Sequence, residues 1–316
     1  MGRAQVDEPS RGDAGGVTVH SVEGSGGVRL SVQDHGGRGA TVVLVHGYPD
    51  DHHVWDLVVA LLVDRYRVVT YDVRGAGRSD VPGDTADYRL EHLVADLAAV
   101  VDVVSPEHPV HLVAHDWGSI QCWAAVVDET VGPRVASFTS MSGPGLGHVA
   151  NWMGSRRHGG PAGWREMLTQ GARSWYIAAF HTPLAPLAFK AGLGRRWSDV
   201  LRRGEEVVVD GNWPGDVTDD ALNGMRLYRA NIFGRIARPL PEHTVVPVQL
   251  VVALGDPFVG PRLLDGIEAV APDMVRVEVD AGHWLPRSRP DMVAELVADH
   301  IERVRGRAAD LPAGRP

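Results

Sequence analysis

Asp116 stands where a carboxylate could act as a nucleophile. It follows the apolar run 110–114, and Trp117-Gly118-Ser119 and a segment carrying Ile120, Trp123, Ala124 and Val127 at helical spacing come after it. Strand, sharp turn and helix is a setting that presents a nucleophile at the tip of the turn. The small residues beside it, Ala114, Gly118 and Ser119, leave room for a strained backbone. A carboxylate there is suited to attack an electrophilic sp3 carbon rather than an amide, which gives an alkyl ester of Asp116. A strand-terminal Asp can instead cap the next helix, so this segment alone leaves both roles open.

A carboxylate nucleophile needs an oxyanion hole, a base for the second step and an acid that orients the base. Each is found at the C-terminal end of an expected strand, where open α/β sheets place their chemistry. His283 lies in Asp280-Ala281-Gly282-His283-Trp284, after the run 275–279. A neutral imidazole there can activate water, although a lone His after a strand is more commonly a surface loop residue. Asp256 follows the run 251–255 and would fix the imidazole tautomer. Asp280 is too near in sequence to face His283 easily. The oxyanion hole is expected from the backbone N–H groups of Tyr48 and Trp117, with Pro49 fixing the turn after His46-Gly47, a cis bond being one way to do so.

The elements that must position these residues alternate. Segments 17–22 and 28–34 flank Gly24-Ser25-Gly26-Gly27 as a hairpin. Strands are expected at 41–46, 66–71, 110–115, 135–141, 246–254 and 274–280. Helices are expected at 54–63, 89–104, 117–127 and 290–305; the second carries Leu90, Leu93, Leu97, Val100, Val101 and Val104 on one face. This alternation predicts an α/β fold, a mostly parallel sheet flanked by helices. Strand rhythm stops at Gly143-Pro144-Gly145, and residues 145–243 read as an inserted α-helical cap on a core of 17–144 and 244–305. Residues 1–16 read as a disordered leader and 306–316 as a loose tail or linker stub.

The chain has 316 residues, 44% of them hydrophobic, a net charge of −9, a single lysine (Lys190) and a single cysteine (Cys122). No basic face of the kind nucleic acid requires is evident. One cysteine allows no intrachain disulfide, and no run has signal-peptide or membrane-spanning character. The expectation is a soluble, cytoplasmic protein without metal or cofactor. Gly75-Ala76-Gly77-Arg78-Ser79-Asp80 lacks the third glycine of a dinucleotide loop. In Asp50-Asp51-His52-His53 a helix N-cap is a better account than a chelate. The pairs Arg156-Arg157 and Arg195-Arg196 read as solvated.

Over about residues 20–305 the sequence resembles epoxide hydrolases of the α/β-hydrolase fold, the Asp-nucleophile branch. His46-Gly47-Tyr48-Pro49 matches that family's HGxP turn and His115-Asp116-Trp117-Gly118 its Asp elbow. Asp256-Pro257-Phe258-Val259 and Gly282-His283-Trp284 resemble its acid and base segments, in the order nucleophile, acid, histidine. The DxRGxGxS pattern at 72–79 is common to the fold, with Arg74 expected to pair with Asp72 or another carboxylate. The resemblance is nearest to actinobacterial hydrolases in which such a domain precedes a short-chain dehydrogenase domain.

It also implies two cap tyrosines whose hydroxyls hold and protonate the epoxide oxygen; Tyr176 and Tyr228 match them. The implied reaction is epoxide to vicinal diol through an Asp116 ester that His283, oriented by Asp256, hydrolyses. The pocket is expected to be apolar, formed by Trp117 with Trp152, Phe180, Phe233, His46, Pro49 and Trp284. Partners are then a small hydrophobic epoxide and water, with a homodimer left open. A haloalkane dehalogenase shares the Asp elbow, but Tyr48 stands where its Asn often does; a fluoroacetate dehalogenase tends to have Arg in place of Trp117. A non-catalytic small-molecule binding module is the reading from another class.

Overall fold

The computed structural model describes residues 16–239 and 242–310. The expected leader up to residue 15 and the expected tail from 311 lie outside the described residues.

The strands are valine-rich because most are covered on both faces. β1 (Thr18–Glu23) and β2 (Arg29–Asp34) form the expected hairpin at one edge. β3 (Thr41–Val45), β4 (Arg67–Tyr71), β5 (Val110–His115), β6 (Val135–Met141), β7 (Val248–Ala253) and β8 (Met274–Val279) complete a sheet in the order β1-β2-β4-β3-β5-β6-β7-β8. β2 pairs antiparallel with β4; the pairings from β4 to β8 are parallel. Successive residues of a strand point to opposite faces. Val43 and Val45 of β3 therefore join one core with Leu97, Leu112, Trp123 and Phe138, while Val42 and Leu44 join another with Val58, Leu62, Val297 and Ile301.

Helices α1 (Asp56–Leu62), α2 (Leu90–Val104) and α3 (Trp117–Val126) lie between the strands. The helix face expected on α2 is the buried one. Between β6 and β7 comes a helical insertion: α4 (Leu146–Arg157), α5 (Gly160–Arg173), α6 (Trp175–Phe180), α7 (Leu184–Ala188), α8 (Trp197–Gly204) and α9 (Thr218–Ala237). It is not helical throughout. Residues 205–217 have no helix, and their Val207 and Trp213 are tucked into the second core. A third apolar cluster, including Tyr48, Trp117, Leu146, Phe180, Met225 and Tyr228, joins the insertion to the strand ends.

The chain closes with α10 (Leu285–Ser288) and α11 (Pro290–Asp310). The last helix therefore runs into the stretch expected to be loose from 306; Arg307 donates to Asp273 at 2.8 Å and holds that extension to the loop before β8. Among the described residues no helix is long and apolar enough to cross a membrane. Arg74 pairs not with Asp72 but with buried Asp96, through two bonds of 2.7 and 2.6 Å. Asp72 instead accepts from His52, whose Nδ1 lies 2.7 Å away.

Candidate active site

Parallel strands deliver their C-terminal ends to one edge of the sheet. The residues that follow β3, β5, β7 and β8 meet there. Asp116 is the tip of the turn after β5, with φ 50° and ψ −121°, a region in which a non-glycine residue is strained and functional sites are common. Gly118 makes the turn possible: a Cβ there would lie 2.3 Å from the Val45 carbonyl oxygen and 2.5 Å from that of His46. Asp116 Oδ1 accepts the Tyr48 N–H at 2.7 Å, and the Trp117 N–H also bears on the carboxylate. The Tyr48–Pro49 bond is cis. Burial raises the Asp116 carboxyl above its ordinary value, against the opposing pull of His283 and of these two amides.

His283 follows β8. Its Nδ1–H donates to Asp256 Oδ2 at 2.9 Å, and its Nε2 lies 3.7 Å from Asp116 Oδ2. The other oxygen of Asp256 accepts the N–H groups of Phe258 (2.7 Å) and Val259 (2.9 Å), which aims Oδ2 at the ring. Burial would lower the affinity of His283 for a proton, but Asp256, Asp116 and Glu205 together push it up to about 9. Asp256 is held below its usual range, burial being outweighed by His283 and the two amides. Asp280, the other carboxylate near His283 in sequence, is exposed.

Above Asp116 stand Tyr228 of α9 and Tyr176 of α6, ring centroids 5.9 Å apart. Tyr228 packs edge-on against Trp117 at 4.9 Å and Tyr48 at 5.3 Å; Tyr176 packs against Phe258 at 5.2 Å. Burial, reinforced by Asp116, raises both phenols, so both hydroxyls keep their protons. Asp116, Trp117, Trp152, Tyr176, Tyr228 and Phe258 line one cavity of about 220 Å³ whose other walls are largely apolar. That combination of an apolar hollow with a few convergent polar groups is what small-molecule sites commonly present.

Several residues expected in the pocket wall lie elsewhere. Phe233 is 60% exposed and packs against His181. It is five residues beyond Tyr228, about 140° round the helix, while Ile232 and Ile236 face the cavity. Phe180 sits behind the two tyrosines, 4.8 Å from Tyr228 and 5.4 Å from Tyr176. His46 is fully buried; its Nδ1–H donates to the Gly47 carbonyl and its Nε2 accepts the Val73 N–H, so it braces the turn. Pro49 is buried beside it. Trp284 donates its indole N–H to buried Asp50 at 2.9 Å and holds the loop that carries His283. Burial raises that Asp50 carboxyl to about 8.

Two residues near the base were missed by sequence reasoning. His115 Nε2–H donates to the His283 carbonyl at 2.8 Å, and burial lowers it to about 3, which makes it a permanently neutral prop. Glu205, just after α8, accepts the Trp284 N–H at 3.3 Å, with the His283 N–H also turned to it. The Asp51-His52-His53 group is occupied internally: Asp51 accepts the His53 N–H as a helix cap, and His52 and His53 turn their Nδ1 atoms to Asp72 and Asp56.

Comparison with known proteins places this geometry in context. A family model described as the alpha/beta hydrolase fold matches residues 40–287. A Mycobacterium tuberculosis protein named probable oxidoreductase EphD is 39% identical over 298 residues, which cover 90% of this chain and 50% of that one. The chain thus spans about half the length of that relative. Human epoxide hydrolase 4 is 25% identical over 292 residues, 86% of this chain and 75% of its own. The crystal structure of a Bacillus megaterium epoxide hydrolase with an inhibitor superimposes with a TM-score of 0.74 at 22% identity, over 90% of this chain and all of that one.

Proposed function

The chain belongs to the α/β-hydrolase fold family, and we propose that it hydrolyses epoxides to vicinal diols through an ester on Asp116. The observation that carries this reading is the carboxylate at the strained turn with two protonated tyrosines facing it across one apolar cavity. The helical insertion then serves as the cap. The names of the human and Bacillus megaterium relatives agree with this activity.

The substrate lies between Asp116 and the tyrosine pair, its oxygen accepting hydrogen bonds from Tyr176 and Tyr228. Asp116 Oδ2 attacks a ring carbon from the opposite side; the C–O bond breaks, and a tyrosine gives its proton to the departing oxygen. Oδ1 stays with the Tyr48 and Trp117 amides. Esterification removes the negative charge that faces His283, one of the carboxylates that raise its proton affinity. With that charge gone the imidazolium loses its proton, the tyrosinate regains one, and the neutral ring can act as the base of the second step. It takes a proton from water as the water attacks the ester carbon, and the Tyr48 and Trp117 amides stabilise the oxyanion. Collapse breaks the acyl C–O bond; His283 gives its new proton to the departing alkoxide, the diol leaves with the original Asp oxygen, and the Asp116 carboxylic acid returns its proton to His283.

The test is diol formation from styrene oxide beside halide release from 1-chlorobutane, on wild type and Asp116→Ala. Diol from the epoxide, lost in the variant, is the expected result. Halide release without diol would transfer the assignment to haloalkane dehalogenation. In His283→Gln the ester should persist, seen as the mass of the epoxide added to the intact protein.

A further inference from the structure

The outer side of the helical insertion is unlike the rest of the surface. Trp164, Leu168, Trp175, Leu184 and Leu187 fall within 24 consecutive residues and are each 51–71% exposed. Trp164 and Leu168 are i and i+4 on α5, hence on one side of the helix; Trp175 opens α6 just beyond the break at Ser174 and is 67% exposed. Of the α5 residues only Gly163, which has no side chain, is buried. The neighbouring side of α5, with Met167, Gln170 and Gly171, lines the active-site cavity. One helix therefore forms the cavity wall and presents an uncovered apolar stripe. Scattered exposed apolar residues are normal, but clustered ones mark an interaction surface.

Charge identifies the surface that fits. Residues 146–204 contain nine Arg or Lys against Glu166 and Asp199, a net +7, whereas the chain as a whole is −9, leaving −16 elsewhere. Arg157, Arg165, Lys190, Arg195, Arg196, Arg202 and Arg203 of this stretch are exposed. Exposed Trp and Leu interspersed with Arg is the composition of elements that lie in the membrane interface. There indoles settle at the headgroup level, and anionic lipid attracts each nearby cation. A second copy apposing the same face would bring its exposed cations against those of the first, which like-charge repulsion disfavours.

We propose that the α4–α8 face of the insertion docks on an anionic lipid bilayer, with Trp164, Leu168 and Trp175 entering the interface and the arginines meeting the headgroups. The cavity wall then lies against the membrane, from which a lipophilic ligand can pass without crossing bulk water.

Co-sedimentation of the 316-residue chain with phosphatidylcholine vesicles, with and without one-third phosphatidylglycerol, tests this without reference to turnover. Binding should be at least tenfold stronger on the anionic vesicles and weaken with salt as the charges are screened. Trp164→Ser/Leu168→Ser should lower it about tenfold, and Arg195→Ser/Arg196→Ser about 25-fold, with two cations near an anionic surface each worth about fivefold. All these side chains are solvent-exposed, and unchanged melting of each variant confirms that it is folded. Equal weak binding to both vesicle types overturns the proposal. So does anionic binding that neither pair of substitutions affects, or self-association in light scattering that the Trp164 variant abolishes while no vesicle binding is seen.

Discussion

Gly282→Ala tests whether the insertion positions His283 for the proposed reaction. A Cβ at Gly282 would stand 2.0 Å from Glu205 Oε2 and 2.9 Å from its carboxyl carbon, whereas ordinary contact begins at 3.4 Å. The carboxylate or the loop must yield by about 1.4 Å. Glu205 is tied to the Trp284 N–H at 3.3 Å, and whatever share of the displacement its flexible side chain does not absorb passes to His283, whose Nε2 now lies 3.7 Å from Asp116 Oδ2. A misplacement of about 1 Å in a reacting group is worth about 10²-fold in rate. The loss should fall on ester hydrolysis, because alkylation of Asp116 does not use His283. In a rapid-quench single turnover, intact mass follows the ester and chromatography follows the diol. The ester should accumulate normally and break down about 10²-fold more slowly. Adding Glu205→Ala removes the obstruction, so the double variant should hydrolyse its ester faster than Gly282→Ala alone, a coupling of about 1 kcal/mol or more. Wild-type ester breakdown in Gly282→Ala, or a double variant no faster than the single one, would refute the argument.

Tyr176→Phe and Tyr228→Phe should each slow alkylation about 10- to 10³-fold, as expected for lost acid catalysis; full activity in the double variant would sink the tyrosine roles. Since burial raises the Asp116 carboxyl, the ionised nucleophile is lost at a higher pH than for an exposed Asp. The single-turnover alkylation rate should therefore fall, on acidification, before an ordinary carboxylate would titrate. In the proposed mechanism ester hydrolysis needs neutral His283, so its rate should rise with pH through the His283 pKa. Glu205→Gln removes a charge that raises that pKa, so the rising limb should move to lower pH; an unmoved limb would leave Glu205 a merely structural role. Asp96→Ala strands the buried Arg74 guanidinium, and urea denaturation should show a loss of about 3–5 kcal/mol.

Much of this protein can be read from local sequence, because it depends on local order. A strand covered on both faces is mostly apolar, as in β3, β5 and β7, and α2 must show its buried face every three to four residues. Parallel strands put the residues after them at one edge, so Asp116, Asp256 and His283 could be singled out from their places behind expected strands. The phase and docking of elements were decided only in three dimensions. Tyr228 facing the cavity turns Phe233 to the outside of α9, which spacing alone could not orient. Asp50 and Trp284 are 234 positions apart, His115 and His283 168, Glu205 and Trp284 79. No periodicity links such pairs, and no motif within the insertion marks Glu205. Each carboxylate or imidazole acquires its role from desolvation and from partners that packing brings to it, and packing is a property of the whole chain.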